Sequence, residues 1–149
     1  MDLVADVVAP CPATDLFGWV DDLARYPEWH EIVTRAVPAD DGSWAVDLRG
    51  RLGPLARTKR LRMVRTVHDA PRRVVFERAE LDGRQHSPWV LEVDVAETPD
   101  GPGSAPQAHL RMRLHYGGGL FGPVLERVLR EEIERSRVRL LALLAEPPA

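Results

Sequence analysis

The most restrictive feature of this chain is its last apolar segment. From Leu120 to Ala145 there is no internal glycine, and the only proline, Pro123, falls where the first turn of a helix tolerates it. Phe121, Val124, Leu125, Val128, Leu129, Ile133, Leu140, Leu143 and Leu144 share one side at helical spacing, while Arg127, Arg130, Glu131, Glu134 and Arg137 take the other. At ~1.5 Å per residue such a helix is about 40 Å long. An apolar stripe of that length needs an extended dry surface to lie on.

The residues before it supply that surface. Leu3 to Ala9 predicts a strand with Leu3, Ala5 and Val7 on one face. Pro12 then suits the first turn of a helix carrying Leu16, Phe17, Val20, Leu23 and Ala24, which Tyr26-Pro27 breaks. Pro27 can open a second short helix bearing Trp29, Ile32 and Val33. From there the period changes from 3.6 to 2. Alternation predicts strands around Trp44, Val46 and Leu48, over Thr58 to Val67, over Arg73 to Ala79, and around Trp89, Leu91, Val93 and Val95. The cleanest strand holds Leu110, Met112, Leu114 and Tyr116 between His109, Arg111, Arg113 and His115. Asp41-Gly42, Asp69-Ala70-Pro71 and Asp82-Gly83 mark turns, Thr98 to Pro106 a hairpin loop, and Gly117 to Gly119 the end of the sheet. The dry faces of six or seven antiparallel strands are the only surface large enough for the long helix, so the expected class is α+β. A strongly twisted sheet does not close on a helix everywhere, which leaves room for an internal cavity; large side chains filling that space are the alternative.

The totals narrow the function. With 149 residues the chain suits one domain, residues 1–149, burying ~70% of its unfolded surface. Net charge is −3, without the basic stripe that a nucleic-acid partner requires, and the basic residues from Arg49 to Arg65 read as the wet face of strands. A single cysteine, Cys11, excludes an internal disulfide and fits a reducing cytoplasm. No apolar run approaches the ~18 residues of a membrane span, and Met1 to Pro10 lacks a signal-peptide pattern. The expected location is the cytoplasm.

Three segments resemble a known family. Val8-Ala9-Pro10 precedes an amphipathic helix, Asp22-Leu23-Ala24-Arg25-Tyr26-Pro27-Glu28-Trp29 follows it, and a triple glycine leads into the C-terminal helix. In this order, across nearly the whole chain, they resemble the START-like superfamily with its helix-grip fold, in particular the bacterial polyketide cyclase/dehydrase and lipid-transport family. The resemblance implies a curved antiparallel sheet of six to seven strands wrapped around the C-terminal helix, with two short helices after the first strand. It also implies a hydrophobic small-molecule ligand (a polyketide, lipid or isoprenoid) or, alternatively, an aromatase/cyclase or dehydrase acting in the same cavity. The fold hosts carriers, enzymes and regulators alike.

Signatures of dedicated catalysis are absent: there is no phosphate-binding glycine loop, no nucleophile elbow, no metal-ligand spacing among the five histidines and no sign of a cofactor. The informative residues are polar groups among dry neighbours, because burial of an unpaired polar group is costly. Glu132 and Ser136 lie in the helix stripe, Arg65 shares the parity of Leu61, Met63 and Val67, Arg78 that of Val74 and Phe76, and Tyr116 ends a dry face. Arg65, Tyr116 and Glu132 are the acid/base candidates, Glu132 as a base where desolvation raises its pKa. Trp29, Trp44, Met63, Phe76, Arg78, Trp89, Leu91, Met112, Leu114, Val128 and Ser136 are the candidate cavity wall. Each polar member has a structural reading beside the functional one, an ion pair or a strand end turned to solvent, and the aromatics serve equally as core filler. Trp19 is expected to pack on the sheet. A homodimer through an edge strand is compatible with this pattern.

Overall fold

The computed structural model describes residues 2–50, 57–98, 105–117 and 122–146. Strands β1 (Asp2–Ala9), β2 (Val33–Pro38), β3 (Trp44–Gly50), β4 (Arg57–Asp69), β5 (Arg73–Arg78), β6 (Trp89–Thr98) and β7 (Gln107–Tyr116) form one curled antiparallel sheet in the order β1-β7-β6-β5-β4-β3-β2. Helix α1 (Ala13–Val20) and the 3-10 segment Leu23–Glu28 carry the chain from edge strand β1 to the opposite edge, β2. Helix α2 (Gly122–Ala145) follows β7. The α+β architecture expected from the period changes is the one formed.

Alternation sorts the two faces. Leu3, Val7 and Ala9 of β1, Leu110 of β7, Val93 and Val95 of β6, Trp44 and Val46 of β3, and Leu61 and Met63 of β4 are buried. The other face is stitched by cross-strand charge pairs. Asp47 stands opposite Arg60 in register and accepts from it at 2.7 and 3.1 Å, Asp94 accepts from Arg73 at 2.8 Å, and His115 meets Asp2 at 2.9 Å. Directly opposed opposite charges are the favourable arrangement on an antiparallel face. Arg60 and Arg62, from the basic run, are thus held by Asp47 and Asp41. Gly42 and Gly83 take the left-handed conformation (φ +84 and +72) at the two Asp-Gly turns, as the sequence predicts.

Departures from the expected elements have local causes. The strand β2 was hidden because its register slips between Val33 and Arg35, and such a bulge destroys the period of 2. The second short helix begins at Leu23, not Pro27, because Asp22 caps it by accepting from the Ala24 N–H at 2.9 Å; Pro27 lies inside it, Ile32 beyond it, and Val33 opens β2. A second bulge, between Arg65 and Val67, turns Val67 outward to 41% exposure. Arg65 stands beyond the last β3–β4 pair, Trp44 with Met63, and is exposed. Leu120 and Phe121, expected in the long helix, and Gly118 and Gly119 lie outside the described residues.

Along α2, Leu129, Glu132, Ser136 and Leu140 are buried, while Val138 is 66% exposed. Leu140 joins the principal core with Tyr26, Phe76, Trp44 and Val93, and Leu129 joins a second cluster with Leu3, Ile32 and Tyr116. The helix therefore bridges both ends of the concave face.

Candidate functional site

The segment between α1 and β2 is organised around one accounting problem. A helix leaves its last carbonyls without intrahelical donors. Here the Asp21 N–H reaches the Phe17 carbonyl at 2.9 Å, Arg25 donates to Gly18 O at 2.9 Å, Trp29 Nε1–H to Trp19 O at 3.1 Å, and the Tyr26 hydroxyl to Val20 O at 2.8 Å. Arg65 adds a bond to Asp21 O at 3.1 Å. Arg25 also lies over the Trp19 ring at 3.7 Å, so Trp19 stacks on a cation while packing at the edge of the core. The Asp22 to Trp29 motif is thus a device that locks the 3-10 segment against α1. Ser136 of α2 accepts from the Glu31 N–H at 2.9 Å and donates to Glu132 O at 2.8 Å, which ties the long helix to the same segment.

Under this joint lies an apolar pocket of about 120 Å³ between sheet and helices. Its wall draws Leu3 and Val7 from β1, Leu61 and Met63 from β4, Trp89 and Leu91 from β6, and Met112 and Leu114 from β7. Tyr26, Trp29, His30 and Ile32 contribute from the capping segment, and Leu129, Ile133, Ser136, Arg137 and Leu140 from α2. One water needs ~10–15 Å³ of such space, so the pocket corresponds to about ten water-sized bodies, or a compact molecule of similar heavy-atom count.

His30 and Trp89 are the notable nitrogen-bearing groups in that wall. The His30 ring lies against Tyr26 (centroids 6.2 Å, interplanar 19°) and Trp29 (5.2 Å), and its Nδ1 accepts from the Ile32 N–H at 3.3 Å. It is half-buried and belongs to the pocket wall, and burial holds its pKa down at about 4 against an upward pull from Glu31. The imidazole is therefore neutral at pH 7. Trp89 stacks on Tyr116 at 5.3 Å with Lys59 Nζ 5.5 Å from its ring, and its buried Nε1–H meets no acceptor. Burial also lowers the Lys59 pKa, with Arg78 a further cause. Among the described residues, no group of three or more His, Cys, Asp or Glu is arranged to hold a metal ion, and no helix is long and apolar enough to cross a membrane.

Of the residues singled out by pattern, Trp29, Met63, Trp89, Leu91, Met112, Leu114 and Ser136 reach the wall. Trp44 and Phe76 do not: they meet edge to face at 5.6 Å within the core, and Trp44 Nε1–H donates to Asp22 at 3.2 Å. Arg78 is engaged by Glu80 at 3.0 Å and the Ser87 carbonyl at 3.3 Å, away from the pocket. Arg65 turns to the end of α1, 5.8 Å from the Trp44 ring. Glu132 accepts from Arg135 at 2.7 Å, one turn along its own helix, and Tyr116 is buried behind Trp89. None of the three acid/base candidates lines the described wall. The Val128 side chain lies outside the described residues. Pattern reading missed His30, which sits after a tight turn where no period exists; its proximity to Trp29 was the one available signal.

A curled seven-stranded antiparallel sheet closed over a long C-terminal helix defines the START-like, helix-grip class. The chain belongs to the polyketide cyclase/dehydrase and lipid transport family, whose family model matches residues 2–146. Solved structures of the same shape include a protein of Deinococcus radiodurans (18% identity, TM-score 0.65, covering 95% of this chain and 98% of that one). A START superfamily protein of Mycobacterium smegmatis is also similar (13%, TM-score 0.63, 96% of each chain). So is the di-domain ARO/CYC BexL of the BE-7585A biosynthetic pathway (15%, TM-score 0.64), of which this chain spans 51% while 99% of it is covered. At these identities the likeness is one of fold. No curated protein matches the sequence.

Proposed function

We propose that the protein binds a compact hydrophobic small molecule in the pocket between sheet and α2. The observation that carries this reading is a wall built almost wholly from Leu, Val, Ile, Met and aromatic side chains around about 120 Å³ of space. Empty apolar space costs stability that tighter packing would recover, and small-molecule sites are commonly apolar with few polar groups. The family supports the same reading. Its other activity, cyclase or dehydrase chemistry through acid/base side chains, draws no support from Arg65, Tyr116 or Glu132, which lie off the wall.

Native mass spectrometry of the purified protein tests for a co-purified ligand, and titration with indane tests the pocket directly. Saturable binding at one site, weakened at least tenfold by Met112→Trp, is the expected result. No saturable binding to the wild-type protein would remove the reading.

A further inference from the structure

Lysine usage singles out one position. The chain holds 19 arginines and one lysine, Lys59, so only there does a side chain carry a primary amine. Lys59 stands in β4 at the parity of Leu61 and Met63, and its cross-strand partner in β3 is Leu48; those three are pocket wall. Residues two apart in a strand, and residues directly opposed across an antiparallel pair, share a face. Lys59 is therefore on the concave face, one step beyond the wall, and its amine lies 5.5 Å from the ring of a fourth wall residue, Trp89. It is exposed, which leaves the amine open to solvent at the rim.

The neighbouring cations are engaged: Arg60 pairs with Asp47, Arg62 with Asp41 and Arg78 with Glu80. Lys59 meets no carboxylate among the described residues, its contact being the Trp89 ring. Desolvation and the charge of Arg78 both lower its pKa and so favour the neutral amine, which no ion pair holds protonated. Lysines desolvated in apolar surroundings, or set next to a second cation, are the ones activated for attack on a carbonyl. An arginine could not serve, because its guanidinium stays protonated.

We infer that Lys59 is a covalent capture site at the pocket rim, condensing with an apolar aldehyde whose ring occupies the pocket. This rests on the pocket reading above and adds a bond-forming group to it. The amine lone pair attacks the aldehyde carbon, and the carbonyl oxygen takes up the two amine protons and leaves as water. The product is an imine, R–CH=N–Lys59, formed without oxidant or reductant and reversed by water.

The test incubates the wild-type protein with indane-5-carbaldehyde and cyanoborohydride, which reduces the imine to a stable secondary amine, and maps the adduct by peptide mass spectrometry. Lys59 should be modified at least about tenfold faster than the lysine of an unstructured reference peptide, with a rate that saturates in aldehyde, because the pocket holds the reactants together. Saturating indane, or Met112→Trp, should remove that acceleration. The charged 4-formylbenzoate, which apolar space excludes, should react at the reference rate. Modification of Lys59 no faster than the reference, or equal acceleration of both aldehydes, overturns the capture site while indane binding keeps the pocket reading intact. An indane-sensitive adduct that persists in Lys59→Arg overturns the choice of residue. Absence of saturable indane binding overturns the pocket reading and the capture with it. The wild-type rates decide the matter even where a variant fails to fold.

Discussion

His30 is the residue at which burial, charge and site meet. Its folded pKa of about 4 lies below the ordinary value of 6.5, so the unfolded chain takes up a proton that the native ring refuses. Stability is therefore whole above about pH 6.5 and falls as pH drops toward 4, by about 2 kcal/mol between pH 7 and pH 5. Denaturant unfolding at those two pH values should show the loss, and His30→Phe should abolish that part of the slope. Carboxylates act in a separate window. Asp41 is held well below its usual range by hydrogen bonds from Ser43 and Arg62, and Asp47 is lowered by Arg60, so what they contribute is lost only as pH falls below about 4. Trp29 shows a residue with two uses, its indole N–H closing a carbonyl of α1 while its ring forms pocket wall.

Elements are joined by single hydrogen bonds at defined places. Tyr26→Phe removes the hydroxyl from the buried Val20 carbonyl and should cost about 1–2 kcal/mol, read as a lowered denaturation midpoint with unchanged slope. Ser136→Ala leaves the Glu31 N–H without its acceptor and loosens α2 from the capping segment. A loss of about 1–2 kcal/mol is expected, together with faster hydrogen exchange at Glu31. An effect confined to α2 would contradict the joint. Edge packing is as exacting: a Cβ on Gly117 would stand 2.8 Å from Pro88 Cδ, so the β6 and β7 ends tolerate no side chain there.

At the scale of the whole molecule, a pocket of about 120 Å³ lies between α2 and the sheet. On the proposed reading a bound ligand adds to the core, and saturation should stabilise the fold. With indane at a hundred times its Kd, unfolding should become about 2.7 kcal/mol harder and the melting temperature should rise by roughly 5–10 °C. A melting temperature indifferent to saturating ligand would show that occupancy is not coupled to the fold. Glu132→Gln changes a carboxylate bonded along its own helix, so it should leave ligand affinity unaltered.

The order of elements other than β2, the Asp-Gly turns and the dry faces of β1, β3, β6 and β7 were legible in the sequence because a strand's period of 2 and a helix's 3.6 are local properties of side-chain direction. From the same pattern came seven wall residues, from Trp29 to Ser136. What the pattern could not decide was where a polar group on the dry parity would go. The bulges at Val33/Arg35 and Arg65/Val67 reset parity within a strand, and whether Glu132 or Arg78 meets the pocket depended on partners, Arg135 and Glu80, that only packing brought into range. His30 belongs to no period at all. Its place on the wall follows from a tight turn, the ring beneath it and one backbone N–H, contacts that exist only once the chain has closed on itself.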